Sequence, residues 1–378
     1  MIVLKKLIFA AATVIFMQLF GIASYAADTS EILVEAGSGT VLSAENADRE
    51  YPAGSMSKLM TVLLAAEKIK SGEISYDTVF VASEHANSMQ GAQIWLMPGD
   101  EISVSELLKA VIIGNANDAS AVLAEGIGGS EEAFTDMMNS RAAELGMTRT
   151  LYKNSSGYMS GGDKTTAADT AKLLCELSKH KALRDIFTQR LEYIRDGNVQ
   201  LVNSNPAALH FSGAAGFKSG SVGEGEVRLY YSAEGAERDS GFYIACVLGA
   251  SDEEYAADRA FELIDTGFQK YQTVTPEIPQ EAFAPIKVKN GRKTQLRTEV
   301  KSIGSMVIAA GTGNRIECFA ALPEYVYAPV KRGDTVGQVL YYYDGEFAFA
   351  ADITAAGTAE EKTIGYILLK MLKNTVKF

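Results

Sequence analysis

The chain has 378 residues, 47% hydrophobic and 22% charged, and its 35 basic against 47 acidic residues leave a net charge of −12. That length suits two domains at roughly 100–200 residues each, and the composition excludes collagen-like, low-complexity and largely disordered chains. The acidic balance argues against a broad nucleic-acid surface, so no nucleic-acid partner is expected. Three dispersed cysteines without a CxxC, and only three histidines (His85, His180 and His210), offer no pattern for a metal centre.

Residues 1–26 read as an export signal. Lys5 and Lys6 precede the apolar run Leu7–Phe20, and Ser24-Tyr25-Ala26 supplies small residues at the two positions a signal peptidase reads. Export permits disulfides, but three cysteines cannot all pair internally. Cys246 sits in the apolar run Phe242–Leu248, and all three thiols are expected to be free and structural.

The stretch from Tyr51 to Ala66 is the most informative. From Leu59 onward it is apolar nearly all round, which predicts a buried helix. Ser55 suits the N-cap or first turn of that helix, where the positive end of the helix dipole favours a developing alkoxide. Lys58 follows three positions later on the same face. Burial lowers a lysine's pKa, so Ser55 and Lys58 form a candidate nucleophile and base. Trp95, within Gln93–Met97, is expected in the core. Lys218-Ser-Gly220 precedes two β-type runs, Val227–Ala233 and Gly241–Leu248, and Gly220 in an extended segment marks a close approach of backbone or ligand.

Residues 27–272 are thus expected as one domain. Three prolines crowd into 275–285, so 273–285 is expected as a linker. A small all-β domain follows over 286–360, with turns at Asn290-Gly291 and Asp344-Gly345. In 361–378, Lys370, Lys373 and Lys377 share one helical face while the apolar residues lie mostly elsewhere. Periodicity alone fits a helix at a membrane surface and a helix docked on its own domain equally.

Together, Ser55-Met-Ser-Lys58, Asn115-Ala-Asn117 and Lys218-Ser-Gly220 occur in the order and at the separations of a three-part signature. With their surroundings (Pro52–Thr61, Met97–Asp100, Asn117–Ser120, Thr165–Asp169 and, past the prolines, Pro329–Gly337), they make the chain resemble the D-alanyl-D-alanine carboxypeptidases among the low-molecular-mass penicillin-binding proteins. The resemblance covers nearly all of the exported chain. It implies an α/β fold like that of the β-lactamases, an antiparallel sheet flanked by helices plus a helical lobe, with a C-terminal β-sandwich. It further implies an acyl-enzyme on Ser55, formed from a peptidoglycan stem peptide ending in D-Ala-D-Ala, with Lys58 as base and no metal or cofactor. Asn117 would bind the substrate amide, Lys218 and Ser219 the terminal carboxylate, and Gly220 would leave room for the peptide. The N–H groups of Ser55 and Ser221 would form the oxyanion hole, and Arg259 would help hold the carboxylate. β-Lactams would acylate the same serine. The protein would act at the outer face of the cytoplasmic membrane, and the resemblance tips the last helix toward the membrane surface.

The chain departs from the family pattern in three places. Asn115 stands where the family has a relay serine, and an amide is a poor proton relay; the alternative reading is an impaired scaffold that binds muropeptide without turnover. Ser219 replaces a threonine and keeps the hydroxyl. Lys153-Asn-Ser-Ser-Gly157 departs from the family's loop, a change expected to affect the loop rather than the chemistry.

Overall fold

The computed structural model describes residues 29–205, 216–224, 227–239 and 241–375; the expected export signal and His210 lie outside them. The chain divides into two compact units between Gln269 and Lys270.

The first unit is built on β1 (Ser30–Glu35) and β2 (Val41–Glu45) together with three later strands, β7 (Lys218–Glu224), β8 (Val227–Arg238) and β9 (Gly241–Ala250). They form one antiparallel sheet in the order β2-β1-β9-β8-β7. The apolar run in β9 is buried along almost its whole length, as a strand covered on both faces requires. β7 is an edge strand, with one side of its backbone unpaired within the sheet.

Helices α1 (Ser57–Ser71), α2 (Glu84–Ser88), α3 (Val104–Ile112), α4 (Asn117–Gly128), α5 (Glu131–Glu144), α6 (Ala167–Leu177) and α7 (Lys181–Thr188) flank the sheet and form a helical lobe, with two short antiparallel pairs, β3 (Val79–Val81) with β4 (Glu101–Ser103) on either side of α2, and the hairpin β5 (Leu191–Ile194) with β6 (Val199–Val202). Local sequence explains their ends. The hydroxyls of Ser83, Ser103, Ser130 and Thr166 each accept an N–H from the first turn that follows. Gly72 closes α1 in the left-handed conformation at φ 79°. Leu59 to Ala66 of α1 are all buried, in agreement with a helix apolar all round. Helix α8 (Glu253–Lys270) ends the unit.

Trp95 is not core. It is 74% exposed and sits at φ 60°, a region a bulky residue seldom adopts. The buried carboxylate of Asp118 accepts the N–H groups of Ile94 (3.0 Å) and Leu96 (3.2 Å), both of which turn inward. Trp95, between them, is left facing out.

The second unit holds β10 (Tyr271–Val274), β11 (Ile286–Lys289), β12 (Gln295–Leu296), β13 (Thr298–Glu299), β14 (Met306–Ala309), β15 (Ile316–Ala321), β16 (Tyr325–Tyr327), β17 (Thr335–Tyr343), β18 (Glu346–Ala355) and helix α9 (Ile364–Thr375). Its largest sheet runs β13-β18-β17-β15. Asp344 (φ 53°) and Gly345 (φ 81°) turn β17 into β18, both at positive φ, which is the property that makes Asp-Gly a hairpin signal. The proline-rich stretch is not a free linker. β10 pairs with β14, and Gln280–Phe283 forms a turn that buries Ala282 in this unit's core. Proline excludes a residue from helix and ladder interiors, not from a packed extended segment.

Ile364, Leu368, Leu369, Met371 and Leu372 of α9 are exposed. Among the described residues no helix is long and apolar enough to cross a membrane. Cys175, Cys246 and Cys318 are free thiols.

Candidate active site

Ser55 lies in a single 3-10 turn, Gly54–Met56, that leads into α1. Its hydroxyl caps nothing and is buried without a hydrogen-bond partner among the described residues. The turn itself is held from afar, because the Gly54 N–H donates to Asp163 Oδ2 at 2.8 Å. On its other side stands β7: a Cβ on Gly220 would come well inside van der Waals contact distance of Ser55 Oγ. A side chain at position 220 would force this hydroxyl or the strand to shift.

Lys58 sits one turn further on and is buried, with Nζ donating to the Ser156 carbonyl at 2.8 Å. Desolvation, with a smaller contribution from the Lys218 charge, holds its pKa well below the ordinary lysine range. A lysine so placed carries a lone pair at pH values where a surface lysine is fully protonated. Thr61 Oγ1 donates to the neighbouring Ser155 carbonyl at 2.7 Å. The 153–157 loop therefore reaches Lys58 through the main-chain carbonyl of Ser156 rather than through a side chain.

Asn115 adopts φ 54°, a left-handed conformation that asparagine tolerates well. Its Oδ1 accepts from Lys218 Nζ at 2.8 Å. With the oxygen so engaged, the NH2 edge is left for the site, and that edge donates but takes up no proton. Asn117 opens α4. Its backbone N–H donates to the Ala92 carbonyl at 2.7 Å, and its side-chain nitrogen to the Gln90 carbonyl at 2.5 Å, which fixes the amide plane.

These residues surround a cleft of about 800 Å³, of a size that suits a small ligand. Ser55, Lys58, Asn115, Asn117, Ser219, Gly220 and Ser221 all line it. Lys218 stands just behind it, buried, its pKa lowered by desolvation to about 8. Arg259 is elsewhere: on α8 it pairs with Glu31 at 2.7 Å and Glu262 at 2.6 Å and does not line the cleft. The arginine that does is Arg228 of β8, exposed and without an ion pair among the described residues. Sequence reasoning missed Arg228, Asp163 and Ser156. None carries a local signal, since each acts through partners far away in the chain or through its backbone.

A buried lysine beside an unpartnered hydroxyl, next to an open strand edge backed by a second lysine, has the parts for acyl transfer. The architecture is that of the penicillin-binding proteins. Penicillin binding protein 5 from Haemophilus influenzae superposes with a TM-score of 0.76 over 89% of this chain and 98% of its own, at 21% identity. The sequence carries the assignment further: residues 22–252 match the D-alanyl-D-alanine carboxypeptidase family model, so the chain belongs to that family and is a serine-type carboxypeptidase, a hydrolase. Among its relatives, the D-alanyl-D-alanine carboxypeptidase DacF of Bacillus subtilis is 32% identical over 92% of this chain and 88% of its own. A structure of penicillin-binding protein D2 from Listeria monocytogenes in an ampicillin-bound form is also similar, with 26% identity and a TM-score of 0.57 over 64% of this chain and 97% of that one.

Proposed function

We propose that the enzyme removes the terminal D-alanine of peptidoglycan stem peptides through an ester on Ser55. The observation that carries this reading is the unpartnered Ser55 hydroxyl set between the buried base Lys58 and the open edge of β7. Ser55 Oγ attacks the carbonyl between the two D-alanines while its proton passes to Lys58 Nζ. The N–H groups of Ser55 and Ser221 hold the oxyanion, an interaction worth about 3 kcal/mol per donor in comparable sites. Collapse breaks the C–N bond, and Lys58 returns the proton to the departing amine. Water then hydrolyses the ester, again with Lys58 as base. Asn115 takes no proton in this scheme; its amide orients the leaving group and Lys218. Asn117 binds the substrate amide, and the peptide lies along the free side of β7 over Gly220.

Lys218, Ser219 and Arg228 receive the terminal carboxylate, with Arg228 in the part first expected of Arg259. Arg228→Ala should raise KM about tenfold, the scale of one lost charge-assisted hydrogen bond. Arg259→Ala should leave KM unchanged. Steady-state kinetics on a peptide with a free C-terminal carboxylate separates the two, and equal KM values for both variants would remove Arg228 from the account.

β-Lactams are proposed to acylate the same serine, a reading supported by the similar Listeria protein in its ampicillin-bound form. An extracytoplasmic location is supported by the signal pattern of residues 1–26 and by a substrate that lies in the cell wall. Contact with the membrane surface through α9 belongs to the same proposal and is supported by that helix's exposed apolar residues. The direct test is release of free D-alanine from a peptide ending in D-Ala-D-Ala. Release by the wild type supports the proposal, and its absence from folded protein at every pH would overturn it.

A further inference from the structure

Glu131 opens α5 and is a half-buried carboxyl that the reaction scheme leaves unused. An acid at that place ordinarily serves the positive end of its own helix. Here both oxygens also turn to another segment. Oε1 accepts the backbone N–H of Ser155 at 2.6 Å, and Oε2 accepts the Ser155 hydroxyl at 3.2 Å. Burial pushes the carboxyl's pKa up, and these two bonds offset part of the cost of burying it. The same helix holds the chain three residues earlier. There the Asn139 side chain accepts the Tyr152 N–H at 2.8 Å and donates to the Tyr152 carbonyl at 3.0 Å.

The segment so gripped meets both Lys58 and the serine turn. Successive carbonyls point at α1: that of Ser155 accepts from Thr61 Oγ1 at 2.7 Å, and that of Ser156 from Lys58 Nζ at 2.8 Å. The Ser156–Gly157 peptide is fixed from its other side as well, because the Gly157 N–H donates to Asn154 Oδ1 at 2.6 Å. At Gly157 (φ 70°) the backbone lies against the serine turn so closely that an added Cβ would overlap the Gly54 carbonyl oxygen. One short run of main chain thus touches the residue before Ser55 and the amine of Lys58 together.

We infer that Glu131 is a positioning residue for Lys58: by holding Ser155 it fixes the 155–157 backbone against α1 and so sets the place of the amine beside Ser55. This rests on the role of base proposed above for Lys58. The anchor does not depend on charge. A glutamine oxygen can accept the Ser155 N–H while its NH2 donates to the Ser155 hydroxyl. Loosening the anchor lets the segment draw back and admits water to Lys58. Water relieves the desolvation that holds this amine's pKa down, so the pKa rises and the base is protonated over a wider acid range. The Lys218 charge on β7 also bears on Lys58 and is unchanged by removing Glu131; His85 of α2 and Glu125 of α4 bear on Glu131 itself.

The test uses the full-length enzyme. The Lys58 amine is titrated by NMR of lysine-labelled protein, its signal assigned by its loss in Lys58→Ala. Glu131→Ala should move that titration upward by about one pH unit, a fraction of the shift that full burial imposes, and carry the acid limb of kcat/KM up with it. It should lower kcat about 10²-fold, the cost of about an ångström of misplacement, with KM unchanged. Glu131→Gln should recover most of both losses. Glu132→Ala, which removes the exposed acid beside it in the same helical turn, should change neither. Asn154→Ala frees the Ser156–Gly157 peptide from its other side, should move the titration the same way, and serves if Glu131→Ala does not fold. A lowered Tm with an unmoved Lys58 titration, or an equal shift in Glu132→Ala, would overturn the inference and leave Glu131 an acid at a helix N-terminus. The NMR titration needs no turnover, so wild-type enzyme that releases no D-alanine at any pH would overturn the proposed function while the anchor is still measured.

Discussion

Lys58→Ala is expected to lower kcat for D-alanine release by about 10³-fold, within the range for loss of a general base, while the protein stays folded. The side chain is buried with a single hydrogen bond to the Ser156 carbonyl, so truncation removes a costly buried amine along with the base. The wild-type pH profile should be bell-shaped. The acid limb rises as Lys58 gives up its proton, at a pH well below the ordinary lysine range because of its burial. The alkaline limb falls near 8 as Lys218 loses the charge proposed to hold the carboxylate. Stopped-flow acylation and steady-state release across pH check both limbs. A Lys58→Ala variant within tenfold of wild type would place the base elsewhere.

Gly220→Ala should be almost as damaging, for a steric reason. The added methyl falls against Ser55 Oγ, the atom proposed to attack, and on the path proposed for the substrate along β7. Either the strand or the serine turn must shift. Overpacking of this kind costs about 1–3 kcal/mol of stability, and an ångström of misplacement costs about 10²-fold in rate. The expected result is a 10²-fold or greater loss of acylation with a Tm lowered by only a few degrees. Full activity in Gly220→Ala would mean that the strand and the serine are not held together as described.

The parts legible in the sequence were those with a local pattern. The apolar ring of α1, the buried run of β9 and the Asp344-Gly345 hairpin follow from periodicity and turn chemistry, which act over a few residues. Three short motifs in order marked Ser55, Asn115 and Lys218, and folding brings all three to one cleft. What stayed hidden depends on pairs distant in the chain. Trp95 faces out because Asp118, more than 20 residues later, claims the N–H groups on both sides of it. Asp163 holds the serine turn across a separation of 109 residues. Arg259 seemed to belong at the site by its place in the chain, but Glu31 on β1 and Glu262 on its own helix hold it elsewhere. The prolines at 276, 279 and 285 suggested a linker because they forbid helix, and nothing local shows that Ala282 between them finds a core.

Asn115 is the point at which a sequence motif and its chemistry part company. Its oxygen satisfies Lys218, as a relay hydroxyl's lone pair would, but its nitrogen cannot shuttle a proton. The proposed proton transfers therefore fall to Lys58, with no relay from the second motif.

The most direct test of the central claim is the intact mass of the full-length protein after incubation with a penicillin, followed by peptide mapping, with Ser55→Ala alongside. The expected result is one added acyl group, mapped to Ser55 and absent from the variant. An adduct on another residue, or equal labelling of the Ser55→Ala protein, would contradict it.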